Sequence, residues 1–412
     1  MNKKLSITIL GLAVFSFILV LLGVVINQPK HELVDIKGER NEIGDVLFIS
    51  QTKNGLYGNV QTITSKDKFT VKKNSKSIYN LSENIKVKDE HKEMFKNVHQ
   101  DNQRYCSEEN IGYIEDTGIN YTGTGDANLS FKIVNKNLKS GNVEEYDLNL
   151  PKSFDGESNF SYGLTVGIKN EDIYILSSVS EDVEYSAKGN ITGSGDVAID
   201  IYKFNLNKKE IDKVGEFVQK KKDSEIIISN NQICFEYDDK LYSTIETYPN
   251  DKKKNGEVYL IYYDMEKNKF EYMEGPIINN KDIESIDTDT IQYSIENGKL
   301  YLLNKNDRDE SYTNIIQYTI DLKNNKIDKN KEYKVEKLNE MSHIESFRVI
   351  NKKLYLCMGS YKAIRGEYSG DDDLKNTIVV VDEKNGNTLY MGEYIENKPE
   401  DSINFILKNS EI

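Results

Sequence analysis

The segment "YKAIRGEYSGDDDLK" places Tyr361, Arg365 and Tyr368 just before three consecutive carboxylates, Asp371, Asp372 and Asp373. Such a group can chelate a cation, or clamp a peptide between aromatic, cationic and anionic side chains. The plainer reading is a solvated acidic loop. Arg308, in "NKNDRDESYT", is a further candidate ligand contact of the same kind. "SIDTDT" offers Asp287 and Asp289 to Ca²⁺, which takes about 6 to 8 oxygen ligands, yet the glycine and terminal Glu of an EF-hand are missing. No cofactor is therefore expected, and Ca²⁺ is kept only as a weak candidate.

Catalytic patterns are missing from the sequence. There is no GxSxG, HExxH or P-loop, and no Cys/His pair at a readable spacing. "YSAKGNITGSGD" is rich in glycine, but no helix pattern or Lys-Ser/Thr pair follows it, so it reads as a hairpin tip. Of the histidines His31, His91, His99 and His343, only His343, placed just before a strand, is positioned to reach the mouth of a central channel. Cys106, Cys234 and Cys357 lie far apart in strand-like segments and read as small buried hydrophobes. No catalytic residue and no metal ligand is assigned.

These residues sit in long loops of an otherwise repetitive chain. A signature of apolar strand, two polar residues and hydrophobic-aromatic strand recurs in "RYCSEENIGYIED", "LTVGIKNEDIYILSS", "ICFEYDDKLYSTIE", "IQYSIENGKLYLLN" and "FRVINKKLYLCMG", with "DVLFIS" as a first copy lacking its leading strand. The aligned aromatics are Phe48, Tyr113, Tyr174, Tyr242, Tyr301 and Tyr355, at intervals of 65, 61, 68, 59 and 54 residues. After each signature comes a second hairpin, such as "VYLIYYDMEKNKFEYME", with period-two alternation about Asn, Lys, Asp and Gly turns.

Six units of four strands, from residue 43 to 412, predict an all-β fold: a six-bladed β-propeller of four-stranded antiparallel blades. The terminal "SINFILKNSEI" supplies the missing strand beside "DVLFIS" and closes the ring. Alternatives are seven or eight blades, using Lys76 to Gln103, or stacked β-sandwiches; "NIKVKDEHKEMFKNVHQDNQ" reads better as a helical or irregular insertion. In these blades the chain resembles bacterial β-propellers in general, and "TIVVVDEKNGNTLY" is similar to the outer hairpin of quinoprotein-type or kelch-like blades. It lacks kelch's paired glycines, the Trp-Asp of WD repeats and every Trp of the quinoprotein and Asp-box patterns, so no family's functional residues carry over.

Loop lengths distinguish two faces. Connections between first and second strands, and between third and fourth, are short throughout; the other two kinds are long and differ in every unit. In an up-down blade the long kinds share one face, where binding loops on a rigid scaffold are expected. Tyr121, Tyr248 and Tyr312 would serve as stacking residues there if they converge.

Residues 5–26 carry no charge, and as a helix at about 1.5 Å per residue they span a bilayer core of about 30 Å. They predict an uncleaved single-pass anchor, with residues 1–4 cytoplasmic, 27–42 a linker and the rest extracytoplasmic, since Lys3 and Lys4 precede the span. The part after Ile26 carries 52 Lys and Arg against 68 Asp and Glu, a net charge of −16. That balance excludes nucleic acid as a partner and disfavours close docking on anionic lipid. The expected function is a membrane-anchored module that binds a protein, peptide or cell-wall ligand through its long-loop face. The alternative is a metal-dependent, lactonase-like hydrolase at the central channel.

Overall fold

The computed structural model describes residues 32–52, 60–63, 70–72, 94, 103–121, 127–150, 160–180, 184–185, 191–193, 196–220, 225–249, 257–278, 292–306, 311–328, 330–336, 341–361, 363–364, 367–368, 375–395 and 401–407. The expected anchor at 5–26 and most of Lys76 to Gln103 lie outside them.

Among the described residues the chain forms six antiparallel sheets of four or five strands. Sheet 1 runs Asp401–Leu407, Val46–Thr52, Val60–Ile63, Thr70–Lys72. Sheet 2 runs Arg104–Cys106, Asn110–Tyr121, Ala127–Asn137, Val143–Leu150. Sheet 3 runs Phe160–Lys169, Asp172–Ser180, Val197–Asn205, Glu210–Gln219. Sheet 4 runs Glu225–Tyr237, Lys240–Pro249, Glu257–Asp264, Lys269–Tyr272. Sheet 5 runs Gln292–Glu296, Lys299–Asn306, Tyr312–Asp321, its outer edge shared by Lys326–Ile327 and Lys331–Glu336. Sheet 6 runs Met341–Ile350, Lys353–Tyr361, Lys375–Asp382, Thr388–Ile395.

The repeat holds to the single residue. Opposite the six aligned aromatics Phe48, Tyr113, Tyr174, Tyr242, Tyr301 and Tyr355 stand Phe405, Arg104, Gly167, Phe235, Ser294 and Arg348 of the neighbouring first strands. The strand Asp401–Leu407 pairs with Val46–Thr52 from Val46↔Leu407 to Thr52↔Asp401, so segments from opposite ends of the repeat series build sheet 1.

Among the described residues, sheets 2 to 6 pack one against the next in chain order through apolar side chains. Phe131 and Ile133 of sheet 2 meet Ile173 and Ile175 of sheet 3. Tyr174 and Ile201 of sheet 3 meet Leu241 and Ile261 of sheet 4. Tyr242 and Tyr262 then meet Leu302 and Tyr318 of sheet 5, and Leu303 and Ile315 meet Leu354 and Val379 of sheet 6. Cys357 and Val380 of sheet 6 close the series against Ile43 and Val46.

Turn chemistry explains the tight side. Between first and second strands, Asp238-Asp239, Asn297-Gly298 and Asn351-Lys352 all have positive φ, the conformation that two-residue hairpins with the strands' twist require. At the end of five third strands an Asx side chain, from Asn137, Asn205, Asp264, Asp321 or Asp382, accepts backbone N–H bonds from the residues two and three further on. The residue four further on, Gly141, Lys209, Asn268, Asn325 or Gly386, has positive φ. The two turns of each of sheets 2 to 6 are tied together: the N–H groups of Leu138, Leu206, Met265, Leu322 and Glu383 donate to carbonyls of Glu109, Glu171, Asp239, Gly298 and Lys352.

The segment read as a linker is corrected by the structure. Residues Glu32–Gly38 form a fifth strand on the outer edge of sheet 6, from Glu32↔Ile395 to Gly38↔Tyr390. Tyr390 donates to Asp35 Oδ1 at 2.6 Å and Arg40 Nε to the same oxygen at 2.8 Å. A 3-10 turn, Arg40–Ile43, then carries the chain to sheet 1, held where Lys353 Nζ donates to the Glu42 carbonyl at 2.8 Å and its carboxylate at 2.7 Å.

Two outcomes follow from these closures. Deleting residues 401–412 uncovers the inner edge of Val46–Thr52, so the melting midpoint should fall by more than about 5 °C, whereas loss of a surface tail would leave it unchanged. Gly38 has φ +76°, and a Cβ there would collide with the Leu389 carbonyl. Gly38→Val should therefore release the fifth strand, seen as faster tryptic cleavage at Lys37; unaltered cleavage would show that the strand does not depend on this close approach.

Candidate functional site

The structure places the expected site residues unevenly. Tyr361 ends the second strand of sheet 6, and Tyr368 lies in a small hairpin that pairs Ala363 with Tyr368 and Ile364 with Glu367. His343 falls inside the first strand of sheet 6, opposite Gly359, rather than before it, because the strand begins at Met341. Arg308, Arg365, Asp371, Asp372 and Asp373, and also Asp287 and Asp289, lie outside the described residues. Of the three loop tyrosines, Tyr121 and Tyr248 belong to second strands of sheets 2 and 4, while Tyr312 opens the third strand of sheet 5 and is 41% exposed. The Gly-rich "YSAKGNITGSGD" region contains the paired segments Glu184–Tyr185 and Ile191–Gly193, as a hairpin reading requires. Cys234 and Cys357 are buried, Cys106 is half-buried, and all three are free thiols.

Some of the described polar contacts link first strands. These strands touch one another from sheet 3 to sheet 4, from sheet 5 to sheet 6 and from sheet 6 to sheet 1. Arg348 of sheet 6 reaches sheet 5, with Nη1 donating to Glu296 Oε1 at 3.2 Å and to Ser294 Oγ at 3.5 Å. Both partners are nearly buried, so the pair is screened little by solvent and fixes the two strands laterally. The Tyr293 hydroxyl of sheet 5 donates to the Cys234 carbonyl of sheet 4 at 3.2 Å. Behind it the Cys234 thiol and the Ser243 hydroxyl are 3.5 Å apart, and burial pushes the thiol pKa up, away from nucleophile chemistry.

Glu236 is the most perturbed acid among these groups. It lies on the first strand of sheet 4, where a Cβ on Gly167 of sheet 3 would approach its Cγ to 3.1 Å. Burial pushes its carboxyl up to about 7, Asp239 and Asp238 add to the rise, and a hydrogen bond from the backbone of Asp239 opposes it. Lys169 of sheet 3 is occupied by Asp239, at 3.0 Å, in the same corner. A carboxyl poised near neutrality can hold or release a proton, but Glu236 sits at the tight-turn end of its strand, beside Asp238-Asp239, remote from the long loops. Sequence reading did not single out Glu236, Glu296 or Arg348; the signal available was a charge interrupting an apolar first strand.

No family model matches the chain, and no curated protein matches it either. Among solved structures it is similar to a sialidase from Trypanosoma rangeli in complex with sialic acid, at 12% identity and TM-score 0.36, over 75% of this chain and 54% of that one. The chain thus spans about half the length of that sialidase. It is also similar to the GH93 α-L-arabinofuranosidase of Fusarium graminearum with arabinobiose, at 7% identity and TM-score 0.32, over 72% and 94% of the two chains. A third likeness is to the GH43 endo-arabinanase from Bacillus licheniformis, at 14% identity and TM-score 0.28, over 70% and 96%. Likeness at that level assigns no activity to this chain.

The raised Glu236 pKa has a signed consequence. The folded state holds this proton more tightly than the unfolded chain, whose carboxyl titrates at 4.5. Its ionisation therefore weakens the fold as pH rises from 4.5 through about 7. Glu236→Gln removes the effect, and its stability advantage over the parent should grow by about 2.5 kcal/mol between pH 5 and pH 8. Denaturant melts at the two pH values test this; an advantage equal at both would refute the assignment.

Proposed function

We propose that this chain is a six-bladed β-propeller, anchored in a membrane by residues 5–26, that acts as a binding module through its long-loop face. The observation that carries the reading is the asymmetry of its connections. One end of every described sheet from 2 to 6 is closed by the short turns, tied to each other by the repeated hydrogen bonds above. The other end receives the connections that vary most, from the four residues between Glu336 and Met341 to the nineteen between Tyr272 and Gln292. A scaffold that holds variable loops together on one side and keeps the other side uniform is organised for recognition.

The hydrolase alternative requires carboxylates from several sheets to converge on a cation. On the described first strands, Glu296 is engaged by Arg348 and Glu236 lies at the turn end. Neither arrangement favours a metal centre, so the binding reading stands ahead.

The test is site-specific photo-crosslinking of the full-length protein in its own membranes, with the probe at Tyr312 on the long-loop side or at Asn385 on the turn side. Discrete adducts at Tyr312 and none at Asn385 are expected. Adducts at Asn385 alone, or at neither position, would overturn the reading. A melting midpoint that rises by several degrees between EDTA and Ca²⁺ would instead favour the metal-dependent hydrolase.

A further inference from the structure

The direction of the fifth strand of sheet 6 fixes how the body is presented to whatever lies before it in the chain. Thr388–Ile395 leaves the tight turn that follows Asp382 and ends at Ile395 on the long-loop side. Glu32–Gly38 runs antiparallel to it, so Glu32 lies beside Ile395 at the long-loop end and Gly38 beside Tyr390 toward the turn end. The chain thus enters the folded body at the long-loop end and is hydrogen-bonded from Glu32 onward. It has no free stalk of the length that residues 27–42 would supply.

Only residues 27–31 separate Ile26 from Glu32, and those six peptide steps reach at most about 22 Å. Glu32–Gly38 itself advances about 20 Å along the edge of sheet 6 at about 3.3 Å per residue. For the turn side to face the bilayer, the connection would have to run back along that whole edge at full extension and then reverse. Facing the bilayer with the long-loop side needs no such stretch.

We infer that the long-loop face is turned toward the membrane and the turn face away from it, with Glu32–Gly38 acting as a rigid tether on the rim of sheet 6. The inference rests on the anchor reading proposed above. It narrows the partner class: what this face recognises is carried by the membrane, not by a ligand reaching it from the distant side. Over the ten connections of that side in sheets 2 to 6 (122–126, 151–159, 181–196, 220–224, 250–256, 279–291, 307–311, 337–340, 362–374 and 396–400) acids outnumber bases 23 to 14, although 220–224 and 250–256 are themselves basic, and a net acidic face is repelled by anionic headgroups. The chemistry fits a membrane protein with a basic exposed surface.

Energy transfer from the full-length protein to headgroup-labelled acceptor lipid tests the orientation. In a Cys106→Ser background, donor dye is placed at Ser311→Cys on the long-loop side or Asn385→Cys on the turn side, and the protein is reconstituted in phosphatidylcholine nanodiscs. Transfer at least twofold more efficient from Ser311→Cys is expected, in neutral discs and in discs containing phosphatidylserine alike. Equal efficiencies, or the reverse order, would overturn the orientation while leaving the anchor intact. Preference for the Ser311→Cys site only with phosphatidylserine would hand the face to lipid headgroups and refute the tether. Full extraction of the protein from native membranes by alkaline carbonate would sink the anchor reading, and this inference with it.

Discussion

Everything in this structure depends on sheets that are apolar on both faces. Ile378, Val379, Val380 and Val381 are consecutive in one strand and all completely buried; adjacent residues of a strand point to opposite faces, so both sides of sheet 6 must be covered. Val197, Ile199 and Ile201 impose the same demand on one face of sheet 3, and Tyr202 and Phe204 on the other. A sheet of this kind covered on one side only would leave the other face in water, at about 25 cal/mol per Å² of apolar surface. Serial packing resolves the conflict only if the last sheet also finds a neighbour. Sheet 6 finds it in Ile43 and Val46, at the start of the described chain.

The same constraint explains why the tight side is so uniform. A one-residue slip in a strand buried on both faces sends the side chains fitted to one interface into the other, so the packing on both sides is lost. Register is set by the turns, and here by one local device repeated five times, an Asx side chain capping its own turn and a left-handed residue four positions on. Asn, Asp and Gly at those places are turn chemistry, which leaves little of that side free to vary for recognition. The outer edges are managed differently. Charged residues such as Lys213 and Glu216 occupy the last strand of sheet 3, and sheet 6 alone among the described sheets has its rim covered by a strand from elsewhere in the sequence.

Much of this was legible in the sequence because its signals are local. The six aromatics mark one register position, since each short first hairpin aligns its own strands, and the terminal strand was identifiable because the first unit lacked a partner. The strand Glu32–Gly38 was not legible. Charges at Glu32, Asp35 and Lys37 give "ELVDIKG" the look of a linker, and its partner lies more than 350 residues away, where no local pattern announces it. The split outer strand of sheet 5 was hidden for a related reason, as the polar "DKNK" interrupts it. The candidate loop residues were chosen by composition, which identifies a chemistry without saying which side chains meet.

The repeat is geometric and not chemical, and this bears on what kind of site the molecule can hold. At one equivalent position the six first strands carry Phe405, Arg104, Gly167, Phe235, Ser294 and Arg348. A site with the symmetry of the scaffold would need the same donor at each place. Instead Gly167 makes room for Glu236, Phe235 stacks on Tyr242 with ring centroids 4.7 Å apart, and Ser294 and Glu296 both accept from Arg348 in a single polar crossing. Any site built on this scaffold is therefore local and asymmetric. It arises where individual sheets depart from the repeat, and the long connections are where those departures are largest.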